Sequence, residues 1–421
     1  MRDGLLSRWF RPGASLITVL LAPLAGLYGH LQRRDRVRQE QAAARTRQPG
    51  CPVVVVGNLI VGGAGKTPTT LAVVQALRGA GLRPGVVSRG HGRQHDAVSE
   101  VSVDADPQAV GDEPLLIRRR SGVPVFVGRD RVAAANQLLL AHPRIDVIVS
   151  DDGLQHRRLR RDVEVMVFDE RGIGNGRLLP AGPLREPMPL SPPVAGLVLY
   201  NHTSPSTRWP GACTERRLTG AWPLAQWLHG GCSPTPLSQL RGRPLLAVAG
   251  IGVPERFFSA LESEGLTVRR LPLTDHHDYL HPPWPPGTQE VITTEKDAVK
   301  IARLDTAGVA VWVVGLDLLL PAPFVAELLA RVAAQAARRP APPRRQGTPM
   351  SLDHRLITLL VCPVCKGPLE LLRDNEQRPT ELACPADRLA FPIRDGMPVM
   401  LENEARAMTD AEPGRPVPQV P

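Results

Sequence analysis

Residues 53–67 read V-V-V-V-G-N-L-I-V-G-G-A-G-K-T, followed by Pro68 and the helical pattern T-T-L-A-V-V-Q-A-L. Val53 to Val56 form an all-β-branched run, which suits a strand buried on both faces of a parallel sheet. Beyond Gly57, the glycines Gly62, Gly63 and Gly65 let backbone N–H groups close around phosphate oxygens. Lys66 then reaches the β- and γ-phosphates, and the Thr67 hydroxyl holds Mg²⁺. Ile60, Val61, Gly62, Gly63, Ala64, Gly65, Lys66 and Thr67 are therefore the expected nucleotide cradle. The strict pattern places glycine at position 60, where this chain has Ile60. The competing reading is a glycine-rich turn with a chance Gly-Lys-Thr, and the flanking strand and helix weigh against it.

The 421 residues suffice for two or three domains with ample core. A formal charge of +10 and a pI near 9.9, mostly from arginine, favour anionic partners such as nucleotides, nucleic acid or a phosphate-rich membrane face. Aromatic residues make up only 4%, and no basic stretch is interleaved with several of them. A base-stacking platform is disfavoured, and no direct nucleic-acid partner is expected. Cys51, Cys213 and Cys232 are scattered, and Cys362, Cys365 and Cys384 sit close together. That distribution argues against a disulfide framework and for a reducing, cytosolic location.

From Ala14 to Gln32 the chain carries no charge; Arg8 and Arg11 precede this stretch, and Arg33, Arg34, Arg36 and Arg38 follow it. Pro23, Gly26, Gly29 and His30 weaken a transmembrane span, and arginines stand where a secretory signal would carry its cleavage site. The pattern favours a helix lying on anionic headgroups over a span. The plainer alternative is a buried N-terminal helix of a soluble protein.

From Pro52 onward strands alternate with helices. Strands are expected at Val53–Val56, Pro84–Ser88, Val123–Val127, Val147–Ser150, Val163–Phe168, Val194–Tyr200, Leu245–Ala249, Glu290–Thr293 and Val309–Val314. Helical patterns cover Arg131–Ala141, Glu255–Glu264 and Phe324–Ala337. The alternation predicts an α/β fold, a doubly wound parallel sheet of the P-loop NTPase type in two lobes. The organisation expected is an N-terminal segment over 1–50, a P-loop domain over 51–337 with its lobe boundary within 191–244, and a Pro/Arg linker over 338–349. A small β-rich module over 350–404 follows, and then a disordered tail over 405–421.

Strand Val147–Ser150 runs into Asp151-Asp152-Gly153-Leu154-Gln155-His156. Acidic residues at the carboxyl end of a parallel strand face the phosphate loop and can hold Mg²⁺ directly or through water. Asp-Asp-Gly is also good turn chemistry, and the phosphate loop tips the balance. Gly111-Asp112-Glu113-Pro114 opens a helix, where acidic residues have an ordinary capping explanation. Thr274-Asp275-His276-His277-Asp278 offers either a proton-accepting Asp–His pair or a satisfied surface network.

The motifs G-N-L-I-V-G-G-A-G-K-T-P, V-V-S-R-G, G-D-E-P, D-D-G-L-Q-H-R-R-L-R-R-D, G-N-G-R-L-L-P-A-G-P-L-R-E, V-A-G-I-G-V-P-E-R-F-F, D-H-H and T-E-K-D-A-V-K occur in order. Together they resemble the tetraacyldisaccharide 4′-kinases, the lipid A 4′-kinases of Gram-negative bacteria, over about residues 10–335. The resemblance implies transfer of the γ-phosphate of ATP to the 4′-hydroxyl of a tetraacylated glucosamine disaccharide 1-phosphate at the cytoplasmic face of the inner membrane. It implies Lys66 and Thr67 on phosphates and Mg²⁺, and Asp112 as base with His276 as its partner. Glu113, Asp151 and Asp152 are then the metal shell. Where the family often has S-R-G-Y-G, this chain has His91 for the aromatic residue, which puts a stacking role in doubt. Arg171, Arg177 and Arg185 could meet the substrate's phosphate or headgroups, and a purely solvated role competes equally.

Cys362-x-x-Cys365 followed by Cys384-Pro-Ala-Asp387 has the spacing of a zinc ribbon in which Asp387 replaces one cysteine. Residues 350–402 resemble the small zinc-ribbon proteins that activate methyltransferases, which implies a methyltransferase-type protein partner and Zn²⁺ on Cys362, Cys365, Cys384 and Asp387. Relic cysteines in a small β core are the alternative. Two further readings compete for the whole chain, a phosphate-loop metallochaperone or regulatory NTPase and an adaptor acting through the C-terminal module. Against a GTPase, Thr294-Glu295-Lys296-Asp297 does not match the N-K-x-D guanine signature.

Overall fold

The computed structural model describes residues 8–10, 16–93, 95–230, 233–306, 308–338, 360–374, 379–394 and 397–409. The expected linker over 338–349 lies outside them apart from Arg338, as do residues 410–421 of the expected tail. The chain forms two compact units, Met1–Arg339 and Pro340–Pro421.

The first unit is built on an eight-stranded sheet in the order β3-β4-β2-β5-β1-β6-β7-β8. Its strands are β1 (Val53–Gly57), β2 (Pro84–Ser88), β3 (Ser99–Glu100), β4 (Val125–Val127), β5 (Val147–Ser150), β6 (Val163–Phe168), β7 (Gly196–Tyr200) and β8 (Ala212–Cys213). All pairings are parallel except that of edge strand β3 with β4. β1 lies between β5 and β6, with Val54 opposite both Val149 and Val163. The all-valine run follows from that position. Val54 and Val56 enter one core, shared with Leu71, Val74 and Leu77 of α3 (Lys66–Gly79). Val53 and Val55 enter the opposite core, with Val132, Ala135 and Leu138 of α6 (Arg131–Ala141). Each valine so buried contributes on the order of 1.5–3 kcal/mol. Strands β2 and β6 leave β1 toward opposite edges, so β1 marks the point where the strand order reverses, and ligands bind beyond the carboxyl ends of strands there.

A second sheet has the order β11-β10-β12-β13-β9, from β9 (Glu215–Pro223), β10 (Leu245–Ala249), β11 (Val268–Pro272), β12 (Glu290–Thr294) and β13 (Ala310–Leu319). Four of these strands are parallel, and β9 runs antiparallel to β13 past a register shift between Val314 and Leu316. Each otherwise parallel sheet therefore carries one antiparallel edge strand, β3 in the first and β9 in the second. The stretch from 191 to 244, where the lobe boundary is expected, holds β7, β8, β9 and the helix α7 (Leu224–His229), and only Thr214 separates the two sheets. The chain then returns to the first sheet through α10 (Ala322–Ala337), whose Phe324, Leu328 and Val332 sit one helical turn apart and enter the core of β1 and β6.

At the N-terminus α1 (Leu16–Leu20) and α2 (Ala22–Arg45) are separate helices, and Pro23 occupies the first turn of α2, where its missing N–H costs nothing. Leu16, Leu20, Leu24, Leu27 and Leu31, spaced four, four, three and four apart, are 54–78% exposed. No described helix is long and apolar enough to cross a membrane. Other side chains of α2 face the protein: Tyr28 Oη donates to the Arg185 carbonyl (2.8 Å), and Gln39 Oε1 accepts from the Arg157 amide (2.8 Å).

The second unit is an antiparallel sheet of β14 (Glu370–Arg373), β15 (Pro379–Cys384), β16 (Leu389–Arg394), β17 (Met397–Pro398) and β18 (Arg406–Ala407). Its core holds Cys362, Leu382, Cys384 and Phe391. Order continues past Ala405, where composition predicts a tail. β18 pairs with β16, and Arg406 Nε binds Glu381 Oε1 at 2.8 Å.

Candidate active site

Between β1 and α3 the loop is anchored before it becomes a cradle. Ile60 is fully buried in the core with Leu59 and bridges Leu184. The Val61 amide donates to the Pro183 carbonyl at 2.9 Å. Position 60 therefore carries an apolar anchor, which is why glycine is dispensable there. Gly62 (φ +95°) and Gly65 (φ +81°) adopt the left-handed conformation that a β-carbon disfavours. A β-carbon on Gly65 would also strike the Asn201 amide, which donates to the carbonyls of Ala64 (2.9 Å) and Gly65 (3.2 Å). No side chain caps α3, so its first-turn N–H groups and dipole remain available to an anion. Lys66 Nζ lies 3.3 Å from the Gly62 carbonyl and 3.8 Å from Asp152 Oδ2. Thr67 is buried in the same turn.

At the end of β5, Asp151 is 1% exposed and accepts hydrogen bonds from Thr70 Oγ1 (2.9 Å) and Ser88 Oγ (3.2 Å). Burial, then the neighbouring Glu113 and Asp152 carboxylates, push its pKa up to about 7. Asp152, at φ +45°, receives Arg185 Nη1 at 3.1 Å. Burial would raise its pKa, but Lys66 and Arg185 outweigh it and hold the carboxylate below its ordinary range.

The helix α5 (Asp112–Ser121) starts after Gly111 (φ +93°), whose α-carbon packs against the backbone of Gly90; a β-carbon there would lie 2.9 Å from Gly90 Cα. Gly111 is the capping position and supplies no side-chain cap, so Asp112 is not the cap of this helix. Its Oδ1 accepts from the Glu113 amide (3.1 Å), and its Oδ2 faces the second lobe. There it meets His276 Nδ1 at 3.0 Å and Lys300 Nζ at 3.4 Å. Burial opposes ionisation of Asp112, but the His276 hydrogen bond and the charges of Lys296 and Lys300 prevail and hold its pKa well below the usual carboxylate range. The Asp112 bond raises the pKa of His276, while burial and Lys296 oppose it.

Lys296 and Lys300 lie one turn apart on α9 (Glu295–Ile301). Lys296 Nζ contacts Glu113 Oε1 (3.1 Å), His276 Nε2 (3.2 Å) and Asp275 Oδ1 (3.4 Å). Burial disfavours its charge, but the carboxylates of Glu113, Asp112 and Asp275 raise its pKa above the ordinary lysine value. Arg120 of α5 binds Glu295 and Asp317 of the second lobe, fixing the two sheets around these contacts. On the phosphate-loop side, Arg171 Nη2 donates to the Gly63 carbonyl (2.9 Å) and pairs with Asp169, and Arg256 of the second lobe pairs with Asp169 and Glu170.

The structure thus brings Asp112 and His276 together, and Lys66 to Asp152, with the charge of Glu113 felt at Asp151. Arg171 and Arg185 are engaged with protein carboxylates rather than solvated. His91 lies beside His276, ring centroids 5.5 Å apart. Sequence reasoning assigned no role to Thr70, Ser88, Asn201, Lys296 or Lys300. The only available signal was the helical spacing of the two lysines in T-E-K-D-A-V-K.

In the second unit, the sulfurs of Cys362, Cys365 and Cys384 and a carboxylate oxygen of Asp387 all lie within 4.8 Å of one another. Asp387 Oδ2 is 3.1 Å from Cys362 Sγ and 3.2 Å from Cys384 Sγ. Among the described residues no second group of three or more His, Cys, Asp or Glu side chains converges in this way. Glu113, Asp151 and Asp152 are neighbours without being a closed ligand set.

Residues 17–333 match the family described as tetraacyldisaccharide-1-P 4′-kinase, and residues 353–396 the family described as Trm112p-like protein. The tetraacyldisaccharide 4′-kinase of Leptothrix cholodnii is 54% identical over 325 residues, covering 76% of this chain and 92% of the relative. That of Verminephrobacter eiseniae is 43% identical over 414 residues, covering 93% of this chain and 92% of the relative. Coverage that wide extends into the second unit. The crystal structure of the LpxK protein of Aquifex aeolicus in complex with ATP shares the fold at a TM-score of 0.61 and 24% identity, covering 76% of this chain and 99% of that one.

Proposed function

The chain belongs to the tetraacyldisaccharide-1-phosphate 4′-kinase family, and from that premise we propose how its residues divide the work. The reaction moves the γ-phosphate of ATP to the 4′-hydroxyl of a tetraacylated glucosamine disaccharide 1-phosphate, giving lipid IVA in lipid A biosynthesis. ATP phosphates rest on the N–H groups from Gly62 to Thr67, and Lys66 balances the charge that develops on the transferred group. Asp112, oriented by His276, accepts the proton of the attacking hydroxyl. Magnesium, when bound, neutralises phosphate oxygens. Thr67, Glu113, Asp151 and Asp152 are the residues that would hold it, and the elevated pKa of Asp151 reflects a surplus of buried negative charge that a cation relieves.

The observation that carries this reading is the contact between Asp112 of one lobe and His276 of the other, beside the carboxylates that face Lys66. Lys66→Ala tests it. ATP-dependent phosphorylation of the disaccharide should fall by about 10²–10³-fold with circular dichroism unchanged, the usual scale for removing one electrostatic stabiliser. Wild-type turnover by that variant would refute the assignment.

The exposed leucine face of α1 and α2 and the arginines after Gln32 support docking on an anionic membrane surface, the cytoplasmic face of the inner membrane. For the second unit the reading is Zn²⁺ held by Cys362, Cys365, Cys384 and Asp387, and a methyltransferase-type protein partner. Burial, followed by the Asp387 carboxylate and the neighbouring thiols, pushes the Cys384 thiol up to about 12, so this group needs a cation before it ionises.

A further inference from the structure

Lys296, a partly buried cation at the lobe interface, has no part in the phosphate loop. Lys296 stands in the first turn of α9, and its ammonium makes three contacts, to Glu113 Oε1 at 3.1 Å, His276 Nε2 at 3.2 Å and Asp275 Oδ1 at 3.4 Å. An ammonium has three N–H donors and nothing with which to accept. The atom it meets on the imidazole must then offer a lone pair. That places the ring proton on Nδ1, which lies 3.0 Å from Asp112 Oδ2. The backbone holds His276 for this arrangement at φ +59°, a left-handed conformation that side chains rarely adopt, with its amide bonded to the Gly250 carbonyl.

We infer that Lys296 is a positioning residue that locks His276 in its Nδ1–H tautomer, so that the imidazole orients Asp112 and Nε2 is closed to the substrate proton. Because Lys296 also grips Glu113 at the start of α5, the same contact registers the second lobe against the first. Lys300 adds a second grip on Asp112 from one turn further along the same helix face, at 3.4 Å. The kinetic consequence rests on Asp112 being the proton acceptor; the tautomer does not.

The test uses the full chain labelled with ¹⁵N-histidine, with the His276 signals assigned by their loss in His276→Gln. At a pH above the raised pKa of His276, where the ring is neutral, the wild type should show a pyridine-like Nε2 and a protonated Nδ1. Lys296→Met should lose that pattern, and Lys296→Arg, which still donates, should restore it. In steady-state assays Lys296→Met should lower kcat about 10–10²-fold, the range expected for a misplaced catalytic group, with the KM for ATP unchanged. Should Lys296→Met fold poorly, the Glu113→Gln/Lys296→Met double variant removes the carboxylate left unpaired and allows the same spectrum to be read. An unchanged Nδ1–H tautomer without Lys296 overturns the inference whatever the rate does. A changed tautomer with an unchanged rate upholds the positioning role and instead removes the Asp112–His276 pair from the chemistry.

Discussion

Asp112 and Asp151 are both buried carboxylates at strand or helix ends facing the same cleft, yet their environments drive them apart. Asp112 meets a histidine and two lysines, so its pKa falls; its stabilising contribution is present above the unfolded value of about 4 and is lost as pH drops below that. Asp151 is buried beside two further carboxylates, which outweigh its hydroxyl donors and the charge of Lys66, so its pKa is pushed up to about 7. Two groups pushed apart in this way suit an ionised acceptor and a cation-hungry neighbour. Asp112→Asn should lower the single-turnover transfer rate by about 10²–10⁴-fold, the scale of general-base catalysis, with ATP binding little changed. A near-normal rate beside a lowered melting temperature would reduce Asp112 to an ion-pair partner. Asp151→Asn should act oppositely on stability. Without metal, the native state of the wild type weakens as pH rises from about 4 to about 7, while Asp151 ionises against its neighbours. The variant lacks this contribution to the slope, so its gain in melting temperature over the wild type should be larger at pH 8 than at pH 5. Melting curves at the two values decide it. Asp112 and His276 were legible as acidic and imidazole positions, because residue type announces chemistry. Lys296 and Lys300 were not, since a lysine pair on a short helix reads as a solvated face until the other lobe is seen against it.

At the scale of elements, the phosphate loop and the parallel strands were readable because burial on both faces leaves an unbroken apolar run, as in Val53–Val56 and Val147–Val149. The edge strands β3, β8, β9 and β11 were not. Val268–Pro272 reads V-R-R-L-P with its arginines exposed, and a half-wet edge strand carries no such run. The N-terminal element was legible as uncharged, but its two-sidedness emerges only in three dimensions. Tyr28 and Gln39 bind the loops at Arg185 and Arg157, while the leucine face is exposed. Leu24→Asp/Leu27→Asp therefore changes only the exposed face. Partition to anionic vesicles should fall at least about tenfold, since each lost leucine forfeits roughly 1.5–3 kcal/mol of burial in lipid. The melting temperature should stay the same. Equal vesicle binding would show that the leucine face is not what meets the membrane.

At the scale of the whole molecule, the kinase unit closes on itself. The chain leaves the first sheet at Thr214, builds the second, and returns through α10 into the core beside β1 and β6 before Arg339. Every residue assigned to phosphate transfer lies inside that circuit. The second unit has a core of its own around Cys362, Leu382, Cys384 and Phe391, and two of those four residues belong to the candidate metal site. In so small a sheet, a cation bound by core cysteines contributes folding free energy directly. Two outcomes follow from this division. A chain ending at Arg339 should phosphorylate the disaccharide with kcat within about twofold of the full chain, because no group that moves the proton or the phosphate is lost. In the full chain, stripping metal with a strong chelator should release stoichiometric zinc and expose the C-terminal cysteines to thiol reagents. It should leave the rate unchanged in assays resupplied with magnesium. Collapse of activity on truncation would mean that the second unit completes the enzyme rather than serving a partner of its own.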